Sequence, residues 1–207
     1  MNRTAKLAAA SAACALTLWA AWGIYSKRSA DRVTYTVQRT VDGVELRSYP
    51  EVILAETRAP NETIAFRRLF EYISGENQGA AKLSMTTPVR THTSALSMTT
   101  PPRATTDEEL VTMGFYLPRE YTPAAVPKPT NPTVSLVVEV PRSLAVRSFS
   151  WYATEKRTAR EKRALLETLA AHEVEVRGEP FLLQYNDPWT PPFMRTNEVA
   201  VEIAPQD

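Results

Sequence analysis

Five prolines crowd the fifteen residues from Pro118 to Pro132, at positions 118, 123, 127, 129 and 132. Proline lacks the N–H that a helix interior or a central strand needs, so this stretch reads as a connector between two halves. On its N-terminal side, Tyr35–Val41 and Val44–Tyr49 alternate around Asp42-Gly43, which predicts a hairpin. Pro50 precedes a third strand, Val52–Thr57. Asn61 is a candidate cap for a helix with Phe66, Leu69, Phe70 and Ile73 at i, i+3, i+4 and i+7, and Gly75 ends it. Strand-like runs follow at Lys82–Val89, Leu96–Thr99 and Leu110–Leu117.

Beyond the prolines the same order recurs. Thr133–Val140 and Leu144–Trp151 read as strands, and Thr154–His172 as a helix with Leu165, Leu166 and Leu169 inward. Phe181–Tyr185 and Val199–Ile203 are strands again. The expectation is an α+β fold: two pseudo-symmetric β-α-β-β-like halves joined in a distorted β-barrel flanked by two helices. A literal repeat, Ser84-Met85-Thr86-Thr87-Pro88 and Ser97-Met98-Thr99-Thr100-Pro101, reads either as two strand ends at one rim or as a nonspecific duplication.

A different segment precedes this domain. Leu7 to Tyr25 holds no charged residue and has Trp19, Trp22 and Tyr25 at its C-terminal end. Nineteen helical residues span about 28 Å, close to the ~30 Å hydrocarbon core of a bilayer, and such aromatics suit the interface. Residues 1–32 carry five basic side chains against Asp31, a net of +4, which leaves −3 for the rest of a +1 chain. An N-terminal hydrophobic helix acting as a signal-anchor is the favoured reading. A cleaved signal peptide is the next, with mediocre small-x-small sites at Ala13-Cys14-Ala15 and Trp19-Ala20-Ala21, and a buried helix is the last. Lipidation at Cys14 is not favoured, because the large aliphatic residue three places before it is missing. The expectation is residues 1–32 as leader and residues 33–207 as one domain. That domain is anchored with its bulk outside the cytoplasm, or secreted or periplasmic after cleavage.

Composition excludes several function classes. With 43% hydrophobic residues and near-neutral charge the chain is neither disordered nor a strongly basic nucleic-acid binder. The one cysteine lies in the leader, so the domain has no thiolate nucleophile, disulfide framework or zinc finger. His92 and His172 are eighty residues apart, and no phosphate-binding glycine motif or GxSxG elbow occurs. His92 reads as a turn histidine or a metal ligand, and His172 as a helix-end cation. Arg67-Arg68 on the first helix can pair with ligand carboxylates. Lys156, Arg157, Arg160, Lys162 and Arg163 on the second read as a solvated face or a contact for anionic headgroups. The most unusual segment runs from Tyr185 to Val199. Three prolines stiffen it, while Trp189, Phe193, Met194 and Arg195 make it a wall for a flat, apolar, anionic ligand or else a plug for the core.

These residues carry a resemblance. YTVQRTVDGVELRSYP, AFRRLFEYISGEN, KLSMTTPV, YLPREYTPAAVPKPTNPTV, LAVRSFSW and YNDPWTPPFMRTNEV occur in the order found in the SOUL/haem-binding protein family, over roughly residues 34–204. The resemblance implies a non-enzymatic domain that binds haem or another tetrapyrrole, with a fold similar to bacterial effector-binding domains. It points to Phe66 and Phe70 on the first helix, to Arg68 as a propionate partner, and to Tyr185, Trp189 and Phe193 on the loop, with Arg195 beside them. Glu71 stands where some relatives have lysine, and no histidine lies between residues 33 and 91, where some members place an axial ligand. Binding is therefore expected to be mainly hydrophobic, with His92 or a methionine as the remaining axial candidates. The alternatives are an effector-type module for another small hydrophobic ligand, or a dechelatase using Glu71 or His92. The partners expected are a small tetrapyrrole and, through residues 7–25, a membrane.

Overall fold

The hairpin forms where the sequence places it: β2 (Thr36–Val41) and β3 (Val44–Tyr49) turn through Asp42 and Gly43, at φ 45° and 77°. Two successive positive φ angles match the right-handed twist of the flanking strands, and a glycine at the second takes that conformation without a Cβ clash. A computed structural model describes residues 31–94, 110–186 and 189–205 of the chain. The leader through residue 30 and the predicted strand Leu96–Thr99 lie outside the described residues. No helix among the described residues is long and apolar enough to cross a membrane.

The remaining elements are β1 (Asp31–Arg32), β4 (Val52–Ala59), α1 (Glu62–Ser74), β5 (Thr86–Ser94), β6 (Leu110–Tyr116), β7 (Val134–Glu139), β8 (Arg142–Phe149), α2 (Glu155–Ala171), β9 (Val176–Gln184) and β10 (Asn197–Ile203). Asn61 Oδ1 accepts from the Ile64 N–H at 2.9 Å to open α1, and Gly75, at φ 123°, closes it. Thr154 caps α2 in the same way. β5 begins four residues later than its predicted start and runs on through His92, so that histidine sits in a strand rather than a turn.

Nine strands pair in the order β2-β3-β8-β10-β9-β5-β6-β4-β7, and β1 adds parallel to β5. Apart from β2, the eight others divide into β3-β8-β10-β9 and β5-β6-β4-β7, which mirror each other about the β5–β9 seam. β3 precedes β4 in the chain yet pairs with β8, while β7 precedes β8 yet pairs with β4. The halves thus exchange a strand, although each repeats the same order of elements along the chain.

Residues paired across antiparallel strands share a face. Leu182, Thr91 and Met113 are in one such row, and Leu182 packs under α2 while Met113 packs under α1, so both helices cover the same face. The opposite face carries a third core of Tyr49, Leu54, Tyr116, Leu144, Val146, Phe181, Leu183 and Ala200. Arg90 of β5 reaches Glu139 at the end of β7, and Arg142 of β8 reaches the Tyr116 hydroxyl of β6. Contacts across such strand separations require the sheet to curl around this core. Gly114 marks the tightest place, since a Cβ there would lie 2.8 Å from Leu54 Cδ1.

The expected barrel is nevertheless not closed, because the ladder of paired strands ends at β2 and β7. Closure needs a consistent stagger through every strand. Here β2 is exposed along nearly its whole length and its register shifts between Val37 and Arg39, a bulge of the kind that turns an edge away from further pairing.

Candidate functional site

On α1 the buried residues are Ala65, Leu69, Tyr72 and Ile73. At 100° per residue they occupy one arc, and Phe66 and Phe70 fall just beyond its edge. The apolar stripe expected to include both phenylalanines is therefore shifted, and the two rings are 41% and 50% exposed. They stack near-parallel, with centroids 6.0 Å apart and planes 13° apart, and Phe66 sets its ring against buried Phe115 at 5.3 Å. An apolar shelf on the surface, backed by the core, results.

Arg68 lies at the other edge of the buried arc, about 200° round the helix from Phe66. Its Nη1 donates to the Arg58 carbonyl at 2.9 Å, which ties α1 to the end of β4. The side chain beside the shelf is Arg67, one turn before Phe70, 3.9 Å from Glu71 in an exposed i,i+4 pair. Helical spacing alone assigns Arg67 to this position.

The proline-rich loop belongs to the other half. Tyr185 N–H donates to the Thr196 carbonyl, and Asn186 Oδ1 accepts from the Thr196 N–H at 2.6 Å, closing its base. A short 3-10 turn, Pro192–Met194, holds the tip. Trp151 N–H donates to the Pro192 carbonyl, Asn197 Nδ2 donates to the Trp151 carbonyl at 2.7 Å, and Arg195 Nε donates to the Thr190 carbonyl at 3.0 Å. The Arg195 guanidinium lies 4.7 Å over the Tyr152 ring. Thr190 is buried, while Trp189 and Phe193 stand 75% and 57% exposed. The candidate residues thus fall into two groups, one on α1 over β4, β6 and β7, the other between β9 and β10 beside the end of β8.

Tyr185 belongs to neither exposed group. Its hydroxyl donates to Glu198 Oε2 at 2.6 Å, and burial followed by the Glu198 charge pushes its phenol far above the usual range. Glu198, itself buried, also accepts from Arg47 Nη1 and Nη2 at 2.9 Å each and from Ser148 Oγ at 3.0 Å. Burial alone would lower the Arg47 pKa, but Glu198 holds the guanidinium charged. Arg47 further meets Glu45 at 2.8 Å and the Tyr35 ring at 4.1 Å. Burial pushes the Tyr49 phenol, which accepts from Arg47, up to about 12. Nearby, Glu139 takes Arg90 and Arg142 together, and Arg90 lies 4.5 Å over Phe181. Each carboxylate here is matched by guanidinium, so the arrangement is a set of internal braces. Sequence reasoning missed it because Glu45, Arg47 and Tyr49 in β3, or Glu198 and Glu202 in β10, alternate like residues on a wet face. Only the curl of the sheet turns that face inward.

His92 Nε2 lies 3.5 Å from Glu179 Oε2, and burial, then Lys162, lowers its pKa. His172 ends α2 with Nε2 2.8 Å from Asp42 Oδ2, a link between helix end and hairpin turn. Among the described residues no cluster of three or more His, Cys, Asp and Glu could hold a metal ion.

The folded domain is similar to several solved structures. The EcmrR C-terminal domain has a TM-score of 0.54 at 12% identity, covering 83% of this chain and 99% of its own. An uncharacterized conserved protein from Listeria innocua matches at 0.54 and 11% identity, covering 78% of this chain and 92% of its own. A structure described as a hydrolase from Listeria innocua matches at 0.52 and 13% identity, covering 81% and 94%. At such identities the likeness is one of fold alone. No curated protein matches the sequence. The SOUL heme-binding protein model, however, matches residues 30–202. Its span takes in the hairpin, both helices and the proline-rich loop, and by that match this chain belongs to the SOUL heme-binding protein family.

Proposed function

We propose that this chain binds haem or another tetrapyrrole reversibly, as a non-enzymatic domain tethered to or exported across a membrane by residues 7–25. The observation that carries this reading is the Phe66–Phe70 shelf. Two near-parallel exposed rings, backed by Phe115 and flanked by Arg67, suit a flat apolar ligand with carboxylates at its rim. Family membership supplies the ligand class. Iron ligation has little support, since His92 sits in β5 against Glu179 rather than on α1. Burial of the porphyrin face supplies the affinity instead.

Covering half-exposed phenylalanines contributes about 1–2 kcal/mol per ring, roughly tenfold in affinity. Hemin titrated into the full chain should give a saturable Soret shift, and metal-free protoporphyrin IX should bind within a fewfold of it. Phe70→Ala should weaken both about tenfold while leaving the melting temperature nearly unchanged. A Soret response indifferent to the Phe66→Ala/Phe70→Ala pair defeats the proposal.

A further inference from the structure

The loop and the end of β8 present four aromatic side chains together. Trp151, Tyr152, Trp189 and Phe193 are each about half exposed or more. Trp151 N–H to the Pro192 carbonyl, Arg195 Nε to the Thr190 carbonyl and Arg195 over Tyr152 tie together the backbone that carries these four residues, on neighbouring segments. Trp151 sits at φ 75°, a conformation that bulky L-residues rarely adopt. Its N–H and its carbonyl are both engaged, so the fold holds a strained backbone at a half-exposed tryptophan.

Cations lie alongside. Tyr152 is two residues from Thr154, the cap of α2. On that helix Lys156, Arg160 and Arg163, at i, i+4 and i+7, form one exposed stripe, opposite buried Leu165 and Leu169. Residues 155–163 hold five basic and two acidic side chains, a net of +3 within a domain that is otherwise acidic.

The path of the chain supplies the third observation. Arg32 lies 5.6 Å over the Tyr185 ring, and Val33 N–H donates to the Thr87 carbonyl. The chain therefore enters the domain beside the base of the loop. Only Ser26-Lys27-Arg28-Ser29-Ala30 separates Tyr25 from Asp31, a reach of at most about 21 Å when fully extended.

We infer that the patch of Trp151, Tyr152, Trp189 and Phe193, with the stripe Lys156, Arg160 and Arg163, docks on the surface of a bilayer containing anionic lipid. The aromatics sit at the headgroup level and the cations meet its charge. This rests on the reading of residues 7–25 as a membrane segment, whose short connection brings this edge of the domain against the bilayer. The exposed loop aromatics thereby have a role apart from the tetrapyrrole shelf on α1.

The test uses the full chain carrying Trp19→Phe and Trp22→Phe, so that Trp151 and Trp189 are the remaining tryptophans. It is mixed into phosphatidylcholine vesicles with or without 30 mol% phosphatidylglycerol, an amount set on the order of an anionic leaflet. Each set is made with and without lipid brominated near the headgroup. Docking requires co-flotation with both, and bromine quenching at least twofold stronger in the anionic set. Lys156→Glu with Arg163→Glu should cut that quenching by half or more without loss of flotation; Arg160 is kept because it pairs with Glu161. Flotation without quenching overturns the docking and leaves the tether standing. No flotation of the natural chain on either vesicle overturns both. Loss of tryptophan exposure that follows protein concentration instead of lipid assigns the patch to a second copy and likewise overturns it. Should the double Phe variant fail to insert, the natural chain is compared with Trp151→Phe/Trp189→Phe, and equal anionic-dependent quenching in the two refutes docking.

Discussion

Replacing Glu198 by glutamine tests how the curled face is held together. The change keeps the side chain's size and removes its charge. In the folded protein that carboxylate accepts two bonds from Arg47 and one each from Ser148 and Tyr185. Arg47 has a side chain only 3% exposed, so Glu198→Gln leaves a buried guanidinium without its main counter-charge. Breaking such a pair from one side costs about 3–5 kcal/mol. The remaining partner, Glu45 at 2.8 Å and 39% exposed, compensates in part and moves the expectation to the lower end, about 3 kcal/mol. For a domain of this size that is a fall of roughly 6–12 °C in melting temperature. The double variant Arg47→Met/Glu198→Leu removes both charges and should recover most of the loss, since an apolar replacement of a buried pair is often neutral or better. Thermal and urea unfolding of the two variants and the natural chain read this directly. A Glu198→Gln chain melting within about 2 °C of the natural one would falsify the account, because that is less than ~1 kcal/mol. A double variant no more stable than the single would refute the charge argument and leave only shape.

Two other perturbations follow from the same geometry. Burial alone would raise the Glu161 pKa, but hydrogen bonds from Arg160 and Arg147 outweigh it and hold the carboxylate below its ordinary value. A depressed folded pKa means its stabilisation is complete above the unfolded value of about 4.3 and is lost as pH falls through the folded one. Melting temperature should therefore drop below about pH 4.5, and less steeply in Glu161→Gln; superimposable acid limbs rule out this contact as a cause. Gly114→Ala would place a methyl 2.8 Å from fully buried Leu54, and should cost about 1–3 kcal/mol in urea unfolding. An unchanged midpoint contradicts the close approach of β6 and β4.

Much of the fold was legible because it depends on local rules. Asp42-Gly43, Asn61, Gly75 and Thr154 each mark an element boundary by backbone or capping chemistry that a few residues determine. The five prolines separated the halves for the same reason. Periodicity was less reliable at the margins of a face. Phe66, Phe70 and Leu166 fit the apolar pattern of their helices, yet each lies at the exposed edge, because burial depends on how far the sheet beneath extends. Arg68 and Arg67 were indistinguishable as neighbours in sequence, and the position of the buried arc separated them.

By itself the sequence determined what is carried by spacing and residue type: two helices, most of the described strands, the two halves and the family. Tertiary structure alone decided three things, all for one reason. The sheet, with a strand exchanged between the halves, curls without closing. That curl turns Arg47, Glu198, Arg90 and Glu139 into internal braces, leaves the phenylalanine shelf outside on α1, and brings the chain's entry beside the aromatic loop. Pairings between residues 47 and 198, or 90 and 139, bridge long stretches of chain, and no local pattern encodes them.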